Sequence, residues 1–176
     1  MITRKLLSQR DLRFWFTSLM RFVKESLIRA TPERVFAFHE QPEVLELLRP
    51  PWESARVIQS ARISEVGSRA IVETRILGLI AVKWIAEHTL YEPPHMFEDV
   101  QIKGPFRSWR HRHVVGPHRD GATLRDEIDY EPPFGFVGRV LGPLLIESRL
   151  RKLFDYRHQV TRDWCEKGGR KEDAGS

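Results

Sequence analysis

Six polar residues in the second half of the chain have types and spacings that suit chemistry: His88, Asp99, Gln101, His111, His113 and Asp126. In "RSWRHRHVV", Arg110 and Arg112 alternate with Trp109, His111 and His113. A period of two marks a strand, so one face carries guanidinium groups that belong in water. The other face then turns a tryptophan and two imidazoles inward. An imidazole beside a carboxylate can hold a pKa near neutrality and shuttle protons, as aldol cyclisation and dehydration require. On that reading His111 or His113 is the general base and Asp99 or Asp126 orients it. The same pair, His111-x-His113, with Asp99 or His88 across from it, also has ligand spacing for zinc or iron. An H-x-H pair is common by chance, so the expectation is no cofactor, with a metal on His111 and His113 as the alternative. Cys165, the single cysteine, has no inward partner and supplies no convincing nucleophile.

The elements that must position these residues follow from pattern. "RFVKESLIRA" alternates as a strand. "ATPERVFAFHE" opens a helix with Thr31 as N-cap and Pro32 in the first turn, and "PEVLELLRPPW" starts a second at Pro42, stopped by Pro50-Pro51. Strands are then expected in "SARVIQSARI", "RAIVETRIL", "IAVKWIAEHTLY", "MFEDVQIK", "RSWRHRHVV" and "ATLRDEIDY". A single helix over 139–167 closes the series, disturbed near Gly142-Pro143, with Ile146, Leu150, Leu153, Val160 and Trp164 as its apolar positions. Connections this short imply an antiparallel meander, and a sheet with one apolar face needs the last helix as cover.

Turn lengths test which residues share a face. A two-residue Asp120-Gly121 turn pairs Arg119 with Ala122, hence His113 with Ile128 and His111 with Tyr130. A four-residue "EPPH" loop pairs Tyr91 with Met96, hence Leu90 with Phe97 and His88 with Asp99. At Gly104-Pro105 a three-residue loop sets Asp99 opposite Trp109, inside. A two- or four-residue loop sends it toward Arg110, on the surface.

The chain has 176 residues, 41% hydrophobic and 30% charged, which fits one globular domain with a sizeable core. No apolar run approaches the ~20 residues of a membrane span, and one cysteine excludes an internal disulfide, so a cytoplasmic protein is the default expectation. The formal net charge of +5 invites a nucleic-acid reading. The excess, however, sits in residues 1–24, where six basic residues face Asp11 alone; the remainder balances. No nucleic-acid groove is therefore expected. The organisation is read as a basic arm over 1–19, a domain over 20–167 and a polar tail over 168–176. The arm is a candidate for peripheral membrane contact, with a surface helix or an over-long gene start as plainer readings.

Three segments carry a resemblance: "ATPERVFAFHEQPEVLELLRPPW", "FEDVQIKGPFRSWRHRH" and "DEIDYEPPFGFVGRVLG" with "LRKLFDYR". With the order of elements, they resemble the START-like or SRPBCC superfamily, in its bacterial cyclase/dehydrase-like branch. The resemblance covers about residues 20–166. It implies an α+β helix-grip fold, an antiparallel sheet wrapped around a long C-terminal helix, with a hydrophobic ligand tunnel between them. The branch brings no settled catalytic motif.

The expected function is binding of a hydrophobic small molecule (lipid, isoprenoid, quinone or polyketide-like) in that space. The His/Asp/Gln group forms the polar end; Trp84, Phe97, Trp109, Ile128, Tyr130 and Leu153 form the apolar wall. Arg157 reaches in from the last helix to pair with Asp126 or Asp99. A cyclase or dehydratase using a His–Asp pair in the same cavity is the alternative. The oligomeric state cannot be read from the sequence.

Overall fold

A computed structural model describes residues 19–76, 80–133 and 135–172. The basic arm therefore lies, but for Leu19, outside the described residues. Strand β1 (Met20–Ile28) leads into helices α1 (Pro32–His39) and α2 (Val44–Leu47). Strands β2 (Ala55–Gln59), β3 (Arg69–Ile76), β4 (Ile80–Glu92), β5 (Met96–Lys103), β6 (Ser108–His118) and β7 (Gly121–Glu131) follow, and helix α3 (Gly135–Glu172) ends the described chain. The strands form one antiparallel sheet in the order β1-β7-β6-β5-β4-β3-β2. Strands β2 to β7 are the expected meander, and β1 adds outside β7. The two short helices thus carry the chain from one edge of the sheet to the other.

Local chemistry explains the elements. The Thr31 hydroxyl accepts from the Arg34 amide at 3.3 Å, and Pro32 occupies a position whose N–H has no partner in a helix. In β7, buried and half-buried residues alternate along its whole length, so Leu124, Asp126, Ile128 and Tyr130 share the inner face. Gly121 starts β7 with φ at +141°, and a Cβ there would collide with the Ile28 carbonyl oxygen. Only glycine lets β1 close so tightly on the β6–β7 turn.

The register corrects three expectations; it keeps the inward set of β5 to β7 but moves Leu90 from Phe97 to Glu98, with Tyr91 opposite Phe97 instead. The β6–β7 turn is Arg119-Asp120, because His118 pairs with Gly121; His113 therefore faces Asp126 and His111 faces Ile128. The β4–β5 loop is one residue shorter than expected, pairing Tyr91 with Phe97, and a bulge restores His88 opposite Asp99. Asp99 pairs with His111 rather than Trp109. All shifts on β5–β6 and β6–β7 are by two residues, so inward residues stay inward.

Helix α3 begins earlier and ends later than the expected 139–167. Its buried stripe is Leu150, Phe154, His158, Thr161 and Cys165, at spacings of four, four, three and four. Trp164, expected in the stripe, is 36% exposed and lies under the Arg34 guanidinium. Polar contacts fix the helix to its neighbours: Lys24 of β1 bonds Asp155, Arg34 of α1 donates to the Cys165 carbonyl at 2.8 Å, and the Arg29 amide donates to Glu166 at 3.0 Å.

Two apolar clusters fill the space between sheet and helices. One gathers α1 and α2 (Val35, Phe36, Phe38, Val44, Leu48) against Ile28, Phe97, Val115, Leu124 and Cys165. The other sets Leu150 and Phe154 on Phe22, Trp109, Ile128 and Tyr130, with Trp84, Phe106, Ile146 and Leu153 packed on it but only partly buried.

Candidate functional site

Between the two clusters, on the inner face of β5, β6 and β7, lies a linked group of carboxylates and imidazoles. Asp126 is its centre. His111 Nε2 donates to Asp126 Oδ1 at 2.9 Å, and His158 Nε2 donates to Oδ2 at 2.6 Å. His113 Nδ1 stands 2.7 Å from Oδ1, close enough for an ion pair though poorly angled for a hydrogen bond. On the other side of the two β6 imidazoles, Asp99 Oδ2 is 3.5 Å from His111 Nδ1 and 3.6 Å from His113 Nε2. Each β6 imidazole is thus held between Asp99 and Asp126.

The strand pleat produces this arrangement. His111 and His113 are two apart on β6, Asp99 is their neighbour on β5 and Asp126 their neighbour on β7. Helix α3 adds His158 from above. The rings are also fixed sideways: Phe97 stacks on His113 at 4.0 Å and 11°, while Phe154 meets His111 edge-on at 5.2 Å. At the end of α1, His39 is buried, its Nδ1–H directed to the Val35 carbonyl at 2.9 Å and its ring 5.7 Å from that of His113.

Burial and charge pull the titrations apart. Burial opposes charge on His113, yet the neighbouring charge of Asp126 and close contact with both carboxylates carry it up to about 9. Burial, then repulsion from His113, lowers His111 despite its bond to Asp126. The same two causes bring His39 down to about 3. Burial would raise both carboxylates, but the charge on His113 beside it and bonds from His111 and His158 hold Asp126 well below the usual range. Asp99 is likewise lowered overall, the close approach of His113 and the charges of His111 and His113 outweighing burial. Two ionised carboxylates therefore sit beside one imidazolium, with the Arg157 guanidinium near enough to feel both.

Of the expected residues, the structure brings His88, Asp99, His111, His113 and Asp126 to one face, with Phe97, Trp109, Ile128 and Tyr130 beside them. Trp84 meets Trp109 edge-on at 5.0 Å, and Leu153 lies half-buried on the helix side. Two expectations need correction. Gln101 points along the inner face but is spent on the β5–β6 turn, donating to the Phe106 carbonyl at 2.7 Å. Arg157 makes no ion pair with Asp126 or Asp99: it lies over the Phe154 ring at 5.3 Å and its buried Nε has no partner. One residue along the helix is about 100° of rotation, which puts His158 over Asp126 instead.

His158 and His39 were not read from the sequence. Each sits in an apolar helix stripe, four residues after Phe154 and Val35 respectively, and that spacing was the available signal. Cys165 is fully buried with Sγ 3.8 Å from the Arg34 carbonyl, and burial pushes its thiol up to about 12. An open depression of about 590 Å³, lined by Arg29, Thr31, Pro32, His118 and Asp120, lies at the other end of β6 and shares no residue with the cluster.

Residues 28–152 match the family described as polyketide cyclase / dehydrase and lipid transport. The chain belongs to that family. Its superfamily is START-like/SRPBCC, and its fold is the α+β helix-grip. No curated protein sequence matches it. Among solved structures it is similar to protein CV1439 from Chromobacterium violaceum, at 13% identity and a TM-score of 0.63, covering 83% of this chain and 97% of that one. It is similar to major latex-like protein 151 from Panax ginseng, at 14% identity and a TM-score of 0.63, covering 84% and 97%. Norcoclaurine synthase from Thalictrum flavum, solved with dopamine and hydroxybenzaldehyde, aligns at 13% identity and a TM-score of 0.61, covering 91% and 96%. Identities this low establish the shared fold. In this family member the cluster around Asp126 lies on the wall between sheet and long helix.

Proposed function

We propose that this chain binds a hydrophobic small molecule between the inner sheet face and α3, with Asp99, His111, His113 and Asp126 at the polar end. One observation carries this reading: a buried His/Asp group gathered on Asp126 lies in the wall between two apolar clusters. Desolvating such groups costs a few kcal/mol each unless partners compensate. A fold needing only a dry core is served better by leucine at these positions. The partly exposed rims of Trp84, Phe106, Ile146 and Leu153 offer apolar surface next to the charges. The family description, which names lipid transport, supports the same class of ligand. Native mass spectrometry of the purified chain tests it. A defined apolar molecule, released on denaturation at about one per chain, is the expected result; an empty chain that also binds no apolar probe contradicts it.

A cyclase or dehydratase is the second reading, favoured by one observation. His113 and His111 are adjacent imidazoles driven in opposite directions, the pattern of a paired general acid and base. His113 would donate a proton to a carbonyl oxygen while His111 accepts one from the adjacent carbon. Norcoclaurine synthase, with two small aromatic molecules bound on the same fold, supports that class of chemistry here. His113→Gln then abolishes turnover while leaving ligand binding within a few-fold; a carrier loses affinity only.

A further inference from the structure

We propose that Asp99, His111 and His113 form a mononuclear zinc site, with Asp126 as its outer carboxylate. One ligand atom from each of the three lies within 4.8 Å of the others. The two distances to Asp99 Oδ2 are 3.5 Å from His111 Nδ1 and 3.6 Å from His113 Nε2. A tetrahedral ion with bonds of about 2.0–2.1 Å sets its ligands about 3.3–3.4 Å apart, whereas cis ligands of an octahedral ion lie about 3.0 Å apart. The two edges to Asp99 are closer to tetrahedral than to octahedral spacing, and the third, between the two histidine nitrogens, lies within 4.8 Å.

The outer contacts match as well. A ligating histidine almost always gives its other ring N–H to a carboxylate or carbonyl. Here His111 Nε2 donates to Asp126 Oδ1 at 2.9 Å, and His113 Nδ1 lies 2.7 Å from the same oxygen, an ion-pair contact outside hydrogen-bond angle. His158 in turn holds Asp126 Oδ2 at 2.6 Å, and Phe97 and Phe154 pin the two rings. Such a support leaves the inner nitrogens pre-aimed.

Without a cation the same contacts conflict. His111 commits its Nε2 proton to Asp126, so a neutral ring presents the Nδ1 lone pair to the Asp99 carboxylate. Protonating both rings removes that clash only by placing two imidazolium ions with centroids 3.8 Å apart. A divalent ion replaces both inner protons, satisfies all three ligand atoms and balances the two carboxylates.

Three protein ligands leave a fourth position, as in catalytic rather than structural zinc sites. An oxygen of the small molecule is its natural occupant; that step alone rests on the ligand reading above. Metal ligation also supersedes the acid–base role of His113, because it uses the nitrogen facing Asp99.

The test uses the untagged full chain, stripped with a chelator and titrated with Zn²⁺ and Co²⁺. The expected result is one metal per chain, Co²⁺ visible bands of tetrahedral intensity, and loss of binding in Asp99→Ala and His113→Gln. Asp126→Asn keeps the stoichiometry but weakens binding by about 10- to 100-fold. Substoichiometric uptake, weak octahedral Co²⁺ bands, or unchanged binding in variants with native circular dichroism overturns the site. Should the variants misfold, the wild-type Co²⁺ spectrum decides alone. A chain that takes zinc but no apolar probe keeps this site and removes the ligand reading; a chain that takes the probe but no metal does the reverse.

Discussion

At the residue scale, Asp126 is the group on which three imidazoles converge, and it balances the charge that His113 carries. Removing one partner of a buried ion pair typically costs about 3–5 kcal/mol, because the other charge is stranded. Asp126→Asn should therefore lower unfolding stability by that amount in chemical denaturation; a loss under about 1 kcal/mol would show that the cluster is not electrostatically linked. His39 sets a pH dependence. Its folded pKa of about 3 lies below the ordinary 6.5, so only the unfolded chain gains its proton between those values. Stability should fall as pH drops from 6.5 toward 4, with His39 contributing up to about 1.4 kcal/mol per pH unit. His111 and His88, also lowered chiefly by burial, steepen the limb. His113, raised to about 9, keeps its proton when folded; its unfolded form completes protonation just below 6.5, so it opposes the fall slightly at the top of the window and adds no slope further down. His39→Gln should flatten the limb measurably; an unchanged slope rules this account of His39 out. The two β6 histidines were legible because they alternate with arginines. His158 and His39 were not, because a polar type inside a helix stripe reads as solvent-facing until the packing partner is known.

At the scale of elements, α3 is held by a stripe whose centre is Phe154, 1% exposed against Phe22 and the His111 ring. Phe154→Ala should destabilise by about 3–5 kcal/mol, as large cavities in cores do. Leu145→Ala, at a residue 69% exposed on the same helix, should change stability by less than about 0.5 kcal/mol. Thermal or denaturant melts of the pair check the orientation of the helix; similar losses would contradict it. In the same stripe, the Cys165 thiol should react with a disulfide reagent only on unfolding, since burial keeps it protonated. The strands were legible in number and order, because β7 alternates along its whole length and each turn has its own chemistry; their ends were less so, β2 stopping at Gln59 and β6 running on to His118. Register was harder to read. Turn length at Arg119-Asp120 and the β4 bulge depend on twist and on the close contact of Gly121 with β1, which a period of two does not encode. Because the errors on β5–β6 and β6–β7 were even-numbered, the inward set survived them.

At the scale of the whole molecule, sheet and helix enclose charged groups between two apolar clusters, and the proposed function rests on that contrast. The order of elements was legible because one strand, two short helices, a meander and a long helix admit few packings. The identity of the proposed ligand was not, since it would depend on the shape of the site rather than on any residue's type. The most direct test is histidine imidazole ¹⁵N NMR of the full chain before and after an apolar anionic probe such as anilinonaphthalene sulfonate is added. The account predicts that signals of His111 and His113 shift together, while His118, at the far end of β6, stays in place. A probe that binds without moving His111 or His113, or that moves His118 alone, would contradict it and place the binding surface elsewhere.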